Sequence, residues 1–144
     1  MIDQNDILSN KYNSSVEFEG MEYPSVENAF QASKFSDKYK RMRFARMAPF
    51  SAEYNGNRSR PDAPGWEMKR FDIMYGLLEQ RAKNDPEFRS ALLDTPDREM
   101  IVTNLNHEHF WGVCECSKCR SYGENNLGKM LLQLKSAIKE DDTK

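Results

Sequence analysis

Leu127, Met130, Leu131, Leu134 and Ile138 recur at helical spacing, and this stripe is the strongest constraint the chain places on its own fold. A strand repeats its facing every second residue, so these positions share one buried face only in a helix. Asn125 or Asn126 is placed to cap it. Other segments read the same way. Trp66 opens a run with apolar residues at 68, 71, 74, 75, 78 and 82. In "NDPEFRSALLDTP", Asp85 is a cap and Pro86 takes the first helical position. Phe88, Ala91 and Leu92 form its apolar face, and it stops before Pro96.

Strand material is scarce. "VEFEGMEY", 16–23, alternates apolar and polar around Glu19-Gly20 and reads as a short hairpin with Gly at the turn. "EMIVTNL" is one further strand candidate. Pro24 closes the hairpin, and Ser25 caps a helix expected to reach about Phe35. "DKYKRMRFARMA" reads as a helix capped by Asp37 and ending before Pro49. Residues 50–65, with two Gly and two Pro, read as a loop carrying Arg58 and Arg60. The expected class is mainly α, or α+β with a small β-hairpin. The expected organisation is a single compact domain over 1–144, with an ordered core over about 8–138 and a frayed tail over 139–144.

Hydrophobic residues make up 38% of the 144 and charged residues 31%, which suffices for a core. The formal net charge of −2 gives no global field toward nucleic acid or a membrane surface. No apolar run approaches the ~20 residues of a spanning helix. The N-terminus lacks the basic and apolar regions of a secretory signal, so a cytoplasmic protein with no membrane association and no obligate protein partner is expected. P-loop, H-E-x-x-H, nucleophile-elbow and dinucleotide signatures are missing.

Four groups of residues carry possible chemistry. Glu27, Gln31 and Lys34 share one stripe of the helix after Ser25. That stripe is either a solvated face, with Glu27 beside a positive helix end, or the wall of an enclosed site where a carboxylate stabilises a cation. Gly128, in the first turn of the last helix, costs roughly 1 kcal/mol relative to Ala, which calls for a close approach by another segment or a ligand. The same N-terminus offers free N–H groups for phosphate. Lys34, Lys38, Lys40, Arg41, Arg43 and Arg46 form a basic stretch, either solvated or phosphate-facing. Cys114, Cys116 and Cys119 form C-x-C-x-x-C, an odd number unsuited to a disulfide framework. They read by default as reduced loop thiols; the spacing also permits a shared zinc with His107 or His109 as fourth ligand.

Taken in order, the segments resemble the YbiA-like or NADAR family of N-glycosidases. The likeness runs from "LSNKY" (8–12) through "EGMEYPSVENAFQASK", "NGNRSRPDAPGW", "ALLDT" and Trp111-Gly112 to "GENNLGKMLLQLK". The family's usual Glu after the short strand is Thr103 here, and its usual Asp before the Trp is Glu108. The cysteine loop fills a variable insertion. The resemblance implies hydrolysis of a ribose C1′–N bond without cofactor or metal. Two substrate classes follow: phosphorylated ribosylaminopyrimidine intermediates of riboflavin synthesis, and ADP-ribose joined through nitrogen to guanine in nucleic acid. It implies Glu27 as the carboxylate near C1′, Glu108 as an alternative base for water, and Trp111 as a stacking platform. Asn10, Tyr12, Lys34, Arg58, Arg60, Trp66, Asn126 and Gly128 are implied substrate contacts. A non-catalytic module binding ADP-ribose or NAD-related nucleotides is the alternative.

Overall fold

The computed structural model describes residues 1–143, whose contacts group into two units, Asn10–Asp85 and Met1–Ser9 with the described residues from Pro86 onward. The architecture is mainly helical, with six helices, a two-stranded hairpin and a two-residue parallel pair. Among the described residues no helix is long and apolar enough to cross a membrane.

In the Asn10–Asp85 unit, β1 (Val16–Phe18) and β2 (Met21–Tyr23) pair antiparallel, Phe18 opposite Met21. The connecting Glu19 and Gly20 have φ of 47° and 86°, the double left-handed turn that suits the twist of a hairpin and favours Gly at its second position. Helix α1 (Val26–Ala32) is buried along its whole length. Ser25 caps it by accepting from the Asn28 amide at 3.1 Å. The Asn28 side chain donates to the carbonyls of Phe44 and Met47, which ties α1 to the end of α2 (Lys38–Ala45). Helix α1 is three residues shorter than the pattern suggests. Past Ala32, the Ser33 hydroxyl accepts from the Trp66 indole N–H at 2.9 Å.

The stretch 50–65 is not all loop. Helix α3 spans Pro49–Asn57, with proline in its first turn, and only 58–65 is irregular. Gly56 explains how a glycine-bearing segment stays helical: the Gln31 side chain occupies the space a Cβ would need, so close packing on α1 offsets the poor propensity. Helix α4 (Trp66–Asn84) buries Trp66, Met74, Leu77, Leu78, Arg81 and Ala82. Met68 and Phe71 of the expected stripe are instead 91% and 41% exposed, and Trp66 is the buried side chain of the first turns of α4.

In the other unit, α5 (Pro86–Asp94) buries Phe88 and Leu92 and packs with α6 (Asn126–Asp142). Leu127, Met130, Leu131 and Leu134 of α6 are buried. Helix α6 runs through most of the residues read as a frayed tail; Lys144 lies outside the described residues. β3 (Thr103–Asn104) pairs parallel with β4 (Val113–Cys114), a pairing that two-residue strands do not announce in sequence. Asn125 stands at the N-cap position of α6 with φ 54°, but its side chain bridges elsewhere, accepting from Val102 N and donating to Met100 O.

Candidate functional site

Helix α1 delivers the first cluster. Glu27 is only 8% exposed and Lys34 also 8%, so the stripe is not a solvated face. The Glu27 carboxylate accepts from Gln31 Nε2 at 2.8 Å, and its backbone N–H donates to the Asn10 carbonyl at 3.0 Å. Gln31 Nε2 also reaches Asn57 Oδ1 on α3 at 3.3 Å. Lys34 Nζ donates to the Gly56 carbonyl at 3.1 Å and lies 5.4 Å from the centre of the Trp66 ring. Lys11 and Glu53 form an ion pair at 2.8 Å, with side chains 6% and 13% exposed.

Glu27, Glu53, Lys11 and Lys34 thus form a largely buried set of two anions and two cations. Burial pushes the Glu27 carboxyl above its ordinary value; Lys11, the Gln31 hydrogen bond and Lys34 oppose that rise, while Glu53 adds to it. Burial likewise lowers the Lys34 ammonium, and the Glu27 charge opposes this. Two buried polar atoms of the cluster, Asn10 Oδ1 and Gln31 Oε1, have no hydrogen-bond partner among the described residues. Buried acceptors of this kind are what an incoming hydroxyl or amide satisfies.

The remaining expected contacts of this unit fall in different settings. Trp66 is buried in the core, 5.5 Å from Phe30. Tyr12 is 39% exposed and lies 5.8 Å from the Arg81 guanidinium. Arg58 stacks over Tyr54 at 4.2 Å, and Arg58 and Arg60 are both exposed. Of the basic stretch, Arg41 is engaged by Glu19 at 2.8 Å and by the Phe35 carbonyl at 2.7 Å. A cavity of about 360 Å³ is lined by Phe18, Glu19, Ser33, Arg41, Trp66 and Lys69 among others, and Glu27 is not on its wall.

In the other unit, the Glu108 carboxylate accepts three backbone N–H bonds, from Phe110 at 2.9 Å, Trp111 at 3.0 Å and Gly112 at 2.7 Å. That geometry gives it the job of shaping the turn that presents Trp111, whose ring meets Phe110 edge-on at 4.9 Å. Asn104 holds the base of the turn, accepting from Asn106 N and Glu108 N and donating to the Glu108 carbonyl. Thr103 bonds the Ile2 carbonyl through its amide and its hydroxyl.

The start of α6 is less open to phosphate than its sequence suggests. The amides of Asn126 and Leu127 donate to the carbonyls of Phe110 and Trp111, and the Asn126 side chain donates to Phe110 at 2.9 Å. At Gly128 the close neighbour is the protein itself: the Met100 carbonyl and the Asn125 side chain fill the space a Cβ would need. Near this turn, one ligand atom each from His107, Cys114, Cys116 and Cys119 lies within 4.8 Å of all the others. The Cys119 amide hydrogen bond is the main cause that lowers the Cys116 thiol to about 6. Lost solvation and the two neighbouring thiols push Cys119 up to about 12.

Lys11, Glu53 and Asn57 are members of the Glu27 cluster that sequence reasoning missed. Glu53, Gly56 and Asn57 are spaced three and four apart, a signal available only once 49–57 is read as a helix.

The fold and the Glu27 cluster define a small, mainly helical domain with a buried carboxylate in a set of balanced charge. The NADAR domain profile matches residues 2–139, and the chain belongs to that family. It is 28% identical over 125 residues to the N-glycosidase YbiA of Shigella boydii serotype 4, covering 85% of this chain and 75% of that one. Against a chloroplastic riboflavin biosynthesis protein PYRR of Zea mays it is 27% identical over 128 residues, 81% of this chain but 20% of the relative. The NMR structure of the E. coli protein YbiA superposes with a TM-score of 0.77 at 26% identity, covering 96% of this chain and 80% of that one.

Proposed function

We propose that this chain is a hydrolase of N-glycosyl bonds that cleaves the C1′–N bond of a ribose carrying a phosphate and a flat nitrogen heterocycle. Two classes of substrate fit: guanine-linked ADP-ribose in nucleic acid, and a phosphorylated ribosylaminopyrimidine. The observation that carries the reading is Glu27, buried on α1 of a NADAR domain within a cluster of balanced charge.

Cleavage of a glycosyl bond builds positive charge on the ring oxygen and C1′, and a fixed carboxylate out of bulk water stabilises that charge far more than one in solvent. Glu27 takes this role in its ionised form and orients the attacking water. The partnerless acceptors on Asn10 and Gln31 suit sugar hydroxyls. Lys34 holds the local charge balance, and the exposed Arg58 and Arg60 are the groups for phosphate. Glu108, its oxygens occupied by three amides, is a positioning residue for Trp111 rather than a base.

The test is product analysis by mass spectrometry on both substrate classes, with Glu27→Gln alongside. Release of free ADP-ribose from the nucleic acid, or of free pyrimidine from the ribosylaminopyrimidine phosphate, by the wild type, and its loss in the folded variant, supports the reading. Calorimetric binding of ADP-ribose without turnover on either class, unaffected by Glu27→Gln, would establish the nucleotide-binding module instead.

A further inference from the structure

The sulfur cluster between Trp111 and α6 has no part in the proposed reaction. We propose that Cys114, Cys116, Cys119 and His107 form a closed Cys3His site for a zinc ion that staples the loop bearing Glu108 and Trp111. His107 Nδ1 lies 3.3 Å from Cys119 Sγ, 3.5 Å from Cys116 Sγ and 3.9 Å from Cys114 Sγ. Zn–S bonds of about 2.3 Å and Zn–N bonds of about 2.0–2.1 Å set sulfur and nitrogen about 3.6 Å apart around a tetrahedral ion. The three distances bracket that value. One ring nitrogen cannot donate a single proton to three sulfurs, whereas one shared cation satisfies all four groups.

The backbone brings the ligands together independently of any side-chain preference. Cys114 N donates to Tyr122 O at 2.9 Å and Ser121 N to Cys114 O at 2.8 Å, so the chain folds back on the first thiol. Between them Cys116 and Cys119 lie on one tight turn, closed by Arg120 N to Cys116 O at 2.9 Å. The Cys119 amide donates to Cys116 Sγ at 3.4 Å, a contact that holds a ligating sulfur in place. His109 Nε2 reaches Cys119 Sγ at 3.1 Å, and its ring packs edge-on against Tyr122. It is a hydrogen-bond partner to that sulfur, and His107 is the ligand.

Three thiolates and one imidazole, with no carboxylate, select zinc over magnesium or calcium. Binding displaces the remaining thiol protons to solvent, leaving three S–Zn bonds and one N–Zn bond around the ion. Four protein ligands leave no open position, so the ion is structural. It fixes Glu108, the residue after His107, and through it the turn to Trp111.

The full chain, grown with zinc and purified without chelator, is expected to carry about one zinc per molecule by elemental analysis. Cobalt added to the metal-stripped protein is expected to give a thiolate charge-transfer band and strong tetrahedral d–d bands. Cys119→Ser abolishes both, and His107→Ala weakens zinc affinity by about tenfold or more, while His109→Ala retains stoichiometric zinc. If Cys119→Ser does not fold, the cobalt spectrum of the wild type and the two histidine variants still decide. Substoichiometric zinc with no cobalt–thiolate band overturns the site. Zinc retained in His107→Ala but lost in His109→Ala overturns the ligand set. None of these readouts depends on glycosidase activity.

Discussion

The charge cluster of α1 and the sulfur-lined turn at 104–122 are organised in opposite ways. Glu27 and Gln31 are placed by helical geometry and Lys34 by the turn that follows it, and α3 supplies the Gly56 carbonyl and the Asn57 side chain as neighbours. Their backbone is satisfied within or beside helices, and their cost is the burial of charge. Glu108, Trp111 and the cysteines sit on irregular chain, where His107, Arg120 and Ser121 take left-handed φ of 64°, 51° and 65°. There a carboxylate and an asparagine satisfy backbone amides, and the sulfurs close the loop. Chemistry that needs a preset carboxylate gains from the first arrangement. A presenting loop needs a staple, which the second provides.

The largest expected effect falls on the helical cluster. Glu27→Gln is expected to lower kcat by about 10²-fold or more, the scale on which positioned acid–base and electrostatic groups act. The fold should survive. A carboxyl whose folded pKa lies above its ordinary 4.5 contributes stability that is full below that value and is lost as pH rises through the raised pKa. Thermal melts should therefore show the Gln variant gaining on wild type as pH climbs from 4 toward neutrality. The reverse trend would mean that Lys11, Lys34 and the Gln31 hydrogen bond outweigh burial and stabilise the carboxylate in the fold.

Gly128→Ala comes next. Its methyl would meet the Met100 carbonyl, a backbone group that cannot swing aside. A loss of about 3 kcal/mol in denaturant unfolding is expected, the upper end for overpacking. Glu108→Gln should cost about 2 kcal/mol, because an amide NH₂ would face amide donors where a carboxylate accepts three. Hydrogen exchange should quicken at Phe110–Gly112 and leave α1 unchanged; equal change in both would erase the contrast between the regions. Smallest is Ser25→Ala. Loss of the cap should cost about 1 kcal/mol, read by the same unfolding experiment.

Local signals were legible in the sequence. The Glu19-Gly20 turn, the caps Ser25 and Asp37, proline-led α5 and the α6 stripe all rest on residues close in the chain. Helix α3 was hidden because Gly56 and the nearby prolines vote for loop, and only contact with Gln31 reverses the vote. The parallel pair of β3 and β4 depends on tertiary placement, with too few residues to show a period. Around the candidate site, Glu27, Gln31 and Lys34 were visible as a stripe, but their burial was not, since the same spacing serves a wet face. Lys11 stood at the unmarked position of "SNKY", with nothing local to distinguish it. The cysteine spacing announced a cluster, and only the folded loop chose between His107 and His109.

Carbon-detected NMR titration of the Glu27 side-chain carboxyl, assigned by its disappearance in Glu27→Gln, reaches the central claim most directly. A midpoint clearly above the ordinary 4.5 is the expected result for a carboxylate held out of water beside Gln31. A midpoint at or below 4.5 would contradict it, since burial would then not outweigh the neighbouring cations and the Gln31 hydrogen bond.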